Sequence, residues 1–289
     1  MCRMMKKAGA LLTAAALLTG AVLSVSAQEE KAPLSADAAY KQESVHVTAD
    51  PLGTPEKIEV EVVLHREGTD RLPDVTDLTD IRNTQGEETY MQASDGTIRW
   101  ENKGEDIHYK GDGTGKKLPL ELSITYMLDG MLCSPRGLAG ESGHLTIRFD
   151  YKNKLEATVE RGGKTQTVPV PLMAVTMVPL DEDVFSNVTV TNGKVMSLGD
   201  SGMAVGFALP GMAEALDLGR LSYTEDIDIP EYFEISADVR DFSLDFTATM
   251  VSVGILDDMD EDDLTLDEDF DGTAVDIDSA IDTMFQGAD

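Results

Sequence analysis

The chain has 289 residues, with 54 acidic and 23 basic side chains giving a formal net charge of −31, only 6% aromatic residues, and two cysteines. So acidic a surface repels nucleic acid and anionic lipid, and both are excluded as natural partners; cations and basic proteins are the expected counterparts. The length allows one large or two modest domains with a real apolar core.

The N-terminus reads as a secretory signal over residues 1–27: a basic start with Arg3, Lys6 and Lys7, an apolar run from Ala8 to Val25, and small residues at Val25-Ser26-Ala27 before Gln28. Cleavage there removes three positive charges and no acid, so the mature chain is more acidic still. It also removes Cys2 and leaves Cys133 alone, which precludes an intrachain disulfide. No later apolar run is long enough to span a bilayer. The expected location is therefore secreted, on the extracellular face of a cell envelope.

Residues 28–43 are polar and Ala-rich and read as a leader. Val45 and Val47, then Ile58, Val60, Val62 and Leu64, alternate as two strands able to pair across the intervening Asp50–Lys57 loop. Residues 66–86 carry many acids and read as a long connection with at most a helical turn near Asp77–Ile81. Asp95-Gly96 marks a hairpin whose large side chains are Tyr90, Ile98 and Trp100.

The clearest period follows. Leu118, Leu120, Leu122, Ile124, Tyr126 and Leu128 are apolar at every second position, and Leu145, Ile147, Phe149 and Tyr151 repeat the pattern. Between them, Asp129-Gly130 supplies a turn, and Ser134-Pro135 reads as the N-cap and first position of a short helix stopped by Gly140. Further hairpins are expected at Arg161–Lys164 and at Asn192-Gly193, a strand over Val205, Phe207 and Leu209, and two helical turns up to Gly219. Ile235, Ala237 and Val239 are apolar at odd positions, whereas Phe242, Leu244, Phe246, Ala248 and Met250 are apolar at even ones; the switch near Arg240-Asp241 predicts a bulge or tight bend.

These patterns define an all-β fold of one or two antiparallel, sandwich-like (Ig-like) domains with short helical insertions. The expected divisions are 44–155 and 156–255, followed by an acidic linker and the start of a helix over 256–289. In that helix Ile277, Ile281, Met284 and Ala288 share one face.

Candidate chemistry is sparse. Asp267, Asp269 and Asp271, with Gly272 and Asp278, have the spacing of a calcium loop, although Asp278 replaces the longer bidentate Glu; a solvated acidic linker is the competing reading. No other cofactor is indicated. Gly111–Lys117 lacks the spacing and following helix of a phosphate loop, and Gly140–Gly143 lacks nucleophile-elbow spacing. His46, His65, His108 and His144 are scattered and read as surface residues, and Cys133 as an inert small side chain.

The phrases DLTDIRNTQGEETY, WENKGEDIHYKG, LPLELSITYMLDG, LAGESGHLTIRFDYKN, VFSNVTVTNGKV, ALPG and FEISADVRDFSL occur in this order. Over residues 40–255 the chain resembles the N-terminal extracellular β region of a family of Gram-positive envelope proteins similar to the phage-infection-protein group. The longer members continue into Leu-x-x-Gly heptads and a C-terminal membrane segment. Ile281, Met284 and Gly287 resemble one such heptad, so a secreted short form or a truncated product is expected. The resemblance implies a surface location and a noncatalytic role in protein interaction or scaffolding, and it brings no site residue with it. The expected partner is an envelope protein, or a second copy through the C-terminal helix. A secreted cell-wall hydrolase and a calcium-binding surface module are the alternatives.

Overall fold

Leu120–Leu128 (β9) and Gly143–Asn153 (β11) pair antiparallel, with Leu145 opposite Leu128 and Asn153 opposite Leu120. In the computed structural model, the described residues are 40–65, 71–101, 105–161, 163–198, 201–216 and 229–253, together with the backbone of an extended strand, β1 (Leu11–Leu18). The remainder of the expected signal segment and residues 28–39 of the leader lie outside the described residues, as does the whole of 256–289. The chain is all-β and divides into two compact units.

The smaller unit holds residues 55–117 and the strand before them. Tyr40–Ala49 (β2), Pro55–His65 (β3), Ile107–Asp112 (β8) and Thr79–Gln85 (β5) lie side by side in the order β2-β3-β8-β5. A second sheet has the order β4-β7-β6, from Arg71–Val75 (β4), Thr97–Glu101 (β7) and Tyr90–Gln92 (β6). Alternation buries Ile58, Val60, Val62 and Leu64 on β3, Ile98 and Trp100 on β7, and Ile107 and Tyr109 on β8. Trp100 stacks on Tyr109 at 5.3 Å between ring centroids and meets Tyr90 at 4.8 Å.

Two expectations change in this unit. The leader gives way to strand at Tyr40, earlier than residue 44. The supposed connection 66–86 contains β4 and β5. The strand character of β5 is masked because Ile81 is its one apolar residue, too few to show a period; the strand pairs with β8 through two register shifts, with Asp80 at φ 49°.

In the larger unit one sheet runs β10-β9-β11-β18-β15, adding Met131–Cys133 (β10), Phe185–Thr191 (β15) and Tyr232–Val239 (β18). The expected turn and helix are present. Asp129 (φ 50°) and Gly130 (φ 76°) turn the chain into β10, and Ser134 caps Pro135–Leu138 (α1) by accepting a hydrogen bond from the Gly137 N–H. The facing strands run β16-β17-β14-β19, from Gly193–Leu198 (β16), Ser201–Ala208 (β17), Leu172–Leu180 (β14) and Phe246–Val253 (β19). Glu156–Arg161 (β12) and Lys164–Pro169 (β13) form the expected hairpin.

Between the two sheets Phe233 stacks on Phe149 and lies against Gly206, where an added Cβ would come within 2.0 Å of the ring. Ala204 and Ala208 flank Gly206 on the same face of β17 and are fully buried, so small residues there make the recess that the ring fills.

The division near residue 155 is not the one observed. Strand β11 pairs with β18 from Gly143 opposite Val239 to Asp150 opposite Tyr232, so residues on both sides of 155 share one sheet, and the units part at Lys117/Leu118. Asn192-Gly193 is also no hairpin. β15 pairs with β18 while β16 pairs with β17, and Asn192 (φ 58°) is the corner where the chain changes sheets. Its side-chain amide donates to the Tyr232 carbonyl at 2.8 Å, and its own carbonyl accepts from the Phe207 N–H. Met212–Ala215 (α2) makes one turn within the described residues, and Gly219 lies outside them. The bend at Asp241 (φ 49°) is as expected, but the strand after it presents the opposite face: Thr247, Thr249 and Val251 are buried, while Phe246 and Met250 are exposed.

Candidate functional site

On β11 and β18 the odd-numbered residues Leu145, Ile147, Phe149, Phe233, Ile235 and Ala237 are buried. Strand alternation therefore turns the even-numbered residues outward, and the antiparallel register sets His144 opposite Asp238, Thr146 opposite Ser236 and Arg148 opposite Glu234.

His144 connects two of these neighbours. Its Nδ1 lies 2.9 Å from Asp238 Oδ1 and its Nε2 lies 2.9 Å from Ser236 Oγ. A carboxylate accepts and cannot donate, so Asp238 fixes the ring with its proton on Nδ1. Nε2 is then the acceptor for the Ser236 hydroxyl. The second Asp238 oxygen accepts from Asn187 Nδ2 at 2.7 Å. Asn187 is placed for this by a β-bulge: the β15 register shifts between Ser186 and Thr189, and Asn187 adopts φ 51°. The hydrogen bond from Asn187, then that from His144, hold the Asp238 carboxyl below its ordinary titration range. The His144 N–H donates to Asp129 Oδ1, which ties the cluster to the β9–β10 turn.

Serine, imidazole and carboxylate thus stand in the sequence of a proton relay, a relation recognised by geometry and not by chain order. The His144 and Asp238 side chains are 56% and 50% exposed, so among the described residues nothing closes them off from solvent. Further along the same face Arg148 lies 3.7 Å over the Tyr232 ring and pairs with Asp150 at 2.9 Å and Glu234 at 3.6 Å.

A different surface lies at the edge of this sheet. Strand β10 ends the strand order, and its Met131 and Leu132 are 71% and 76% exposed. Successive strand residues face opposite ways, so the pair presents apolar groups on both faces of the edge. The neighbouring Cys133 is a half-buried free thiol whose Sγ donates to the Tyr126 carbonyl at 3.6 Å.

Asp267, Asp269, Asp271 and Asp278 lie outside the described residues. Among the described residues no group of three or more His, Cys, Asp or Glu could hold a metal ion. Gly111–Lys117 forms a turn leading into β9: Asp112 Oδ1 accepts from the Thr114 N–H, and Lys116 pairs with Asp77 at 2.6 Å. His144 is a surface residue as expected, but its partners stand 92 and 94 residues away, and no local spacing announces them. The one signal available was parity, which puts His144, Ser236 and Asp238 on the polar positions of two strands.

No family model matches the chain, and no curated protein matches it. Among solved structures it is similar to the Fcho1 Mu homology domain of Danio rerio with bound Eps15 peptide, at 8% identity and a TM-score of 0.36, over 85% of this chain and 96% of that one. No helix among the described residues is long and apolar enough to cross a membrane.

Proposed function

We propose that this chain is the ectodomain of a secreted or envelope-displayed protein, working on the outer face of the cell envelope as an interaction and scaffolding module. Binding is its principal role. The observation that carries this reading is the β10 edge: a strand side with no partner strand among the described residues, flanked by Met131 and Leu132, both more than two-thirds exposed. Apolar area left in water forgoes about 25 cal/mol per Å², and an open edge offers backbone groups to an incoming strand. A partner that adds an extended segment there satisfies both. The net charge of −31 favours a basic envelope protein, with faster capture at low salt. The resemblance over residues 40–255 supports the same location.

The test is capture from a host envelope extract by the full chain, compared with Met131→Asp and Leu132→Lys. These side chains lie in water, so the substitutions are expected to leave the melting temperature unchanged and to abolish salt-sensitive capture of a discrete partner. Undiminished capture by both variants would sink the reading.

A further inference from the structure

We propose that Ser236 is a nucleophile toward short, neutral acyl esters, with His144 as its general base and Asp238 as a positioning residue. The inference goes beyond the binding role and does not rest on it, because β10 and the His144 cluster use different side chains. It stands on the two 2.9 Å contacts of the imidazole, the tautomer that Asp238 imposes, and the bulge that aims Asn187 at the far carboxylate oxygen.

In the first half-reaction a lone pair of Ser236 Oγ bonds to the acyl carbon while the hydroxyl proton passes to His144 Nε2, and the carbonyl π pair moves onto oxygen. That pair then reforms the carbonyl. The ester C–O bond breaks, and the proton on Nε2 leaves with the departing alkoxide as an alcohol. Water repeats the sequence: it gives a proton to Nε2, its oxygen bonds to the acyl carbon, the bond to Oγ breaks, and Oγ recovers the proton. The balance is ester plus water to acid plus alcohol, with no oxidant or reductant.

Thr146, directly across the ladder from Ser236 and on the same face, carries a hydroxyl suited to the oxygen that gathers charge. Among the described residues the open sheet face supplies no walls, which suits a small acyl group, and the negative surface disfavours an anionic one. Water around the half-exposed relay screens it, so its acceleration belongs at the low end of general-base catalysis, about 100-fold.

The test treats the full chain with p-nitrophenyl acetate and, separately, with an alkyl fluorophosphonate, and maps the adduct by peptide mass spectrometry. The expected result is a single phosphonate adduct on Ser236. His144→Ala should react about 100-fold more slowly, while retaining the wild-type melting temperature. Asp238→Asn should slow the reaction at every pH with the fold unchanged, and His144→Gln should fail to restore it. Met250→Lys, at an exposed position of the facing sheet, should react at the wild-type rate. Absence of an adduct on Ser236, or an adduct formed equally fast in His144→Ala, would overturn it.

Discussion

Each unit buries a polar network in its core, and the two are built from different chemistry. In the smaller unit the Tyr109 hydroxyl donates to Asp74 Oδ2 at 2.5 Å, and Lys41 reaches Asp74 Oδ1 at 3.1 Å, Glu43 at 2.7 Å and the Val75 carbonyl at 3.2 Å. In the larger unit the Tyr151 hydroxyl bonds Thr176, whose hydroxyl bonds Thr249 at 2.7 Å. The first network is charged and joins the start of β2 to the end of β4. The second is neutral and joins a strand of one sheet to two strands of the facing sheet.

Removing one member of a buried ion pair strands the other, whereas removing one hydroxyl from a neutral chain leaves the remaining groups bonded to each other. The charged network should therefore be the more fragile to substitution, although both specify which strands meet.

The largest expected effect is at Asp74. Asp74→Ala leaves the buried Tyr109 hydroxyl without its acceptor and the Lys41 ammonium with only Glu43 and the Val75 carbonyl, and should cost about 3 kcal/mol. Trp100 is the single tryptophan, lies in this unit and stacks on Tyr109, so its fluorescence in a urea titration reports this unfolding directly. A loss below about 1 kcal/mol would show the network to be no more than a surface ion pair.

Next is Gly206→Ala in the larger unit. The added methyl lands on the Phe233 ring, and overpacking of this kind costs about 1–3 kcal/mol. A Phe233→Leu background should recover part of the loss, as a double-mutant cycle would read.

Tyr151→Phe should cost only about 0.5–1.5 kcal/mol, since Thr176 and Thr249 keep each other. A cost equal to that of Asp74→Ala would erase the distinction between the networks.

Alkaline pH sharpens the same comparison. Burial pulls the Lys41 ammonium down, but the Glu43 hydrogen bond and the charge of Asp74 outweigh it and leave the group above its ordinary range. Burial first, then the bond to Asp74, raises Tyr109; burial raises Tyr151 as well. A group raised on folding contributes stability that is complete below its unfolded value, about 10 for both residue types. That stability is lost as pH climbs toward the folded value, because the native state holds the proton longer. Both units should weaken above about pH 10. Lys41 and Tyr109 carry the smaller unit's response, and Tyr151→Phe should flatten only the larger unit's. Denaturant midpoints followed between pH 8 and pH 11 by Trp100 fluorescence and by tyrosine absorbance would separate them. Burial also raises Tyr126, to about 12, and its hydroxyl donates to the Pro51 carbonyl, so Tyr126→Phe should remove a further, smaller part of the larger unit's slope.

Local physics made much of the fold legible in the sequence. A period of two writes β9, β11 and β3 directly, because one face must be apolar and the other wet. Turn chemistry located Asp95-Gly96 and Asp129-Gly130, and Ser134-Pro135 gave the cap of α1, because positive φ and an orphan N–H are demands met within a few residues.

Choices between competing long-range partners were left to the tertiary structure. Asn192-Gly193 has the residues of a hairpin, yet β18 and β17 offer its flanking strands better partners, and the turn becomes a corner between sheets. On β19 alternation shows which residues share a face but not which face is inside; Thr249 is drawn inward because Thr176 and Tyr151 satisfy its hydroxyl there. β5 was hidden because Ile81 is its one apolar residue, too few to show a period. The His144–Ser236–Asp238 cluster was invisible because each residue is an ordinary polar position of its own strand. Only the register of β11 against β18, set by the apolar side chains buried on the opposite face, brings the three together.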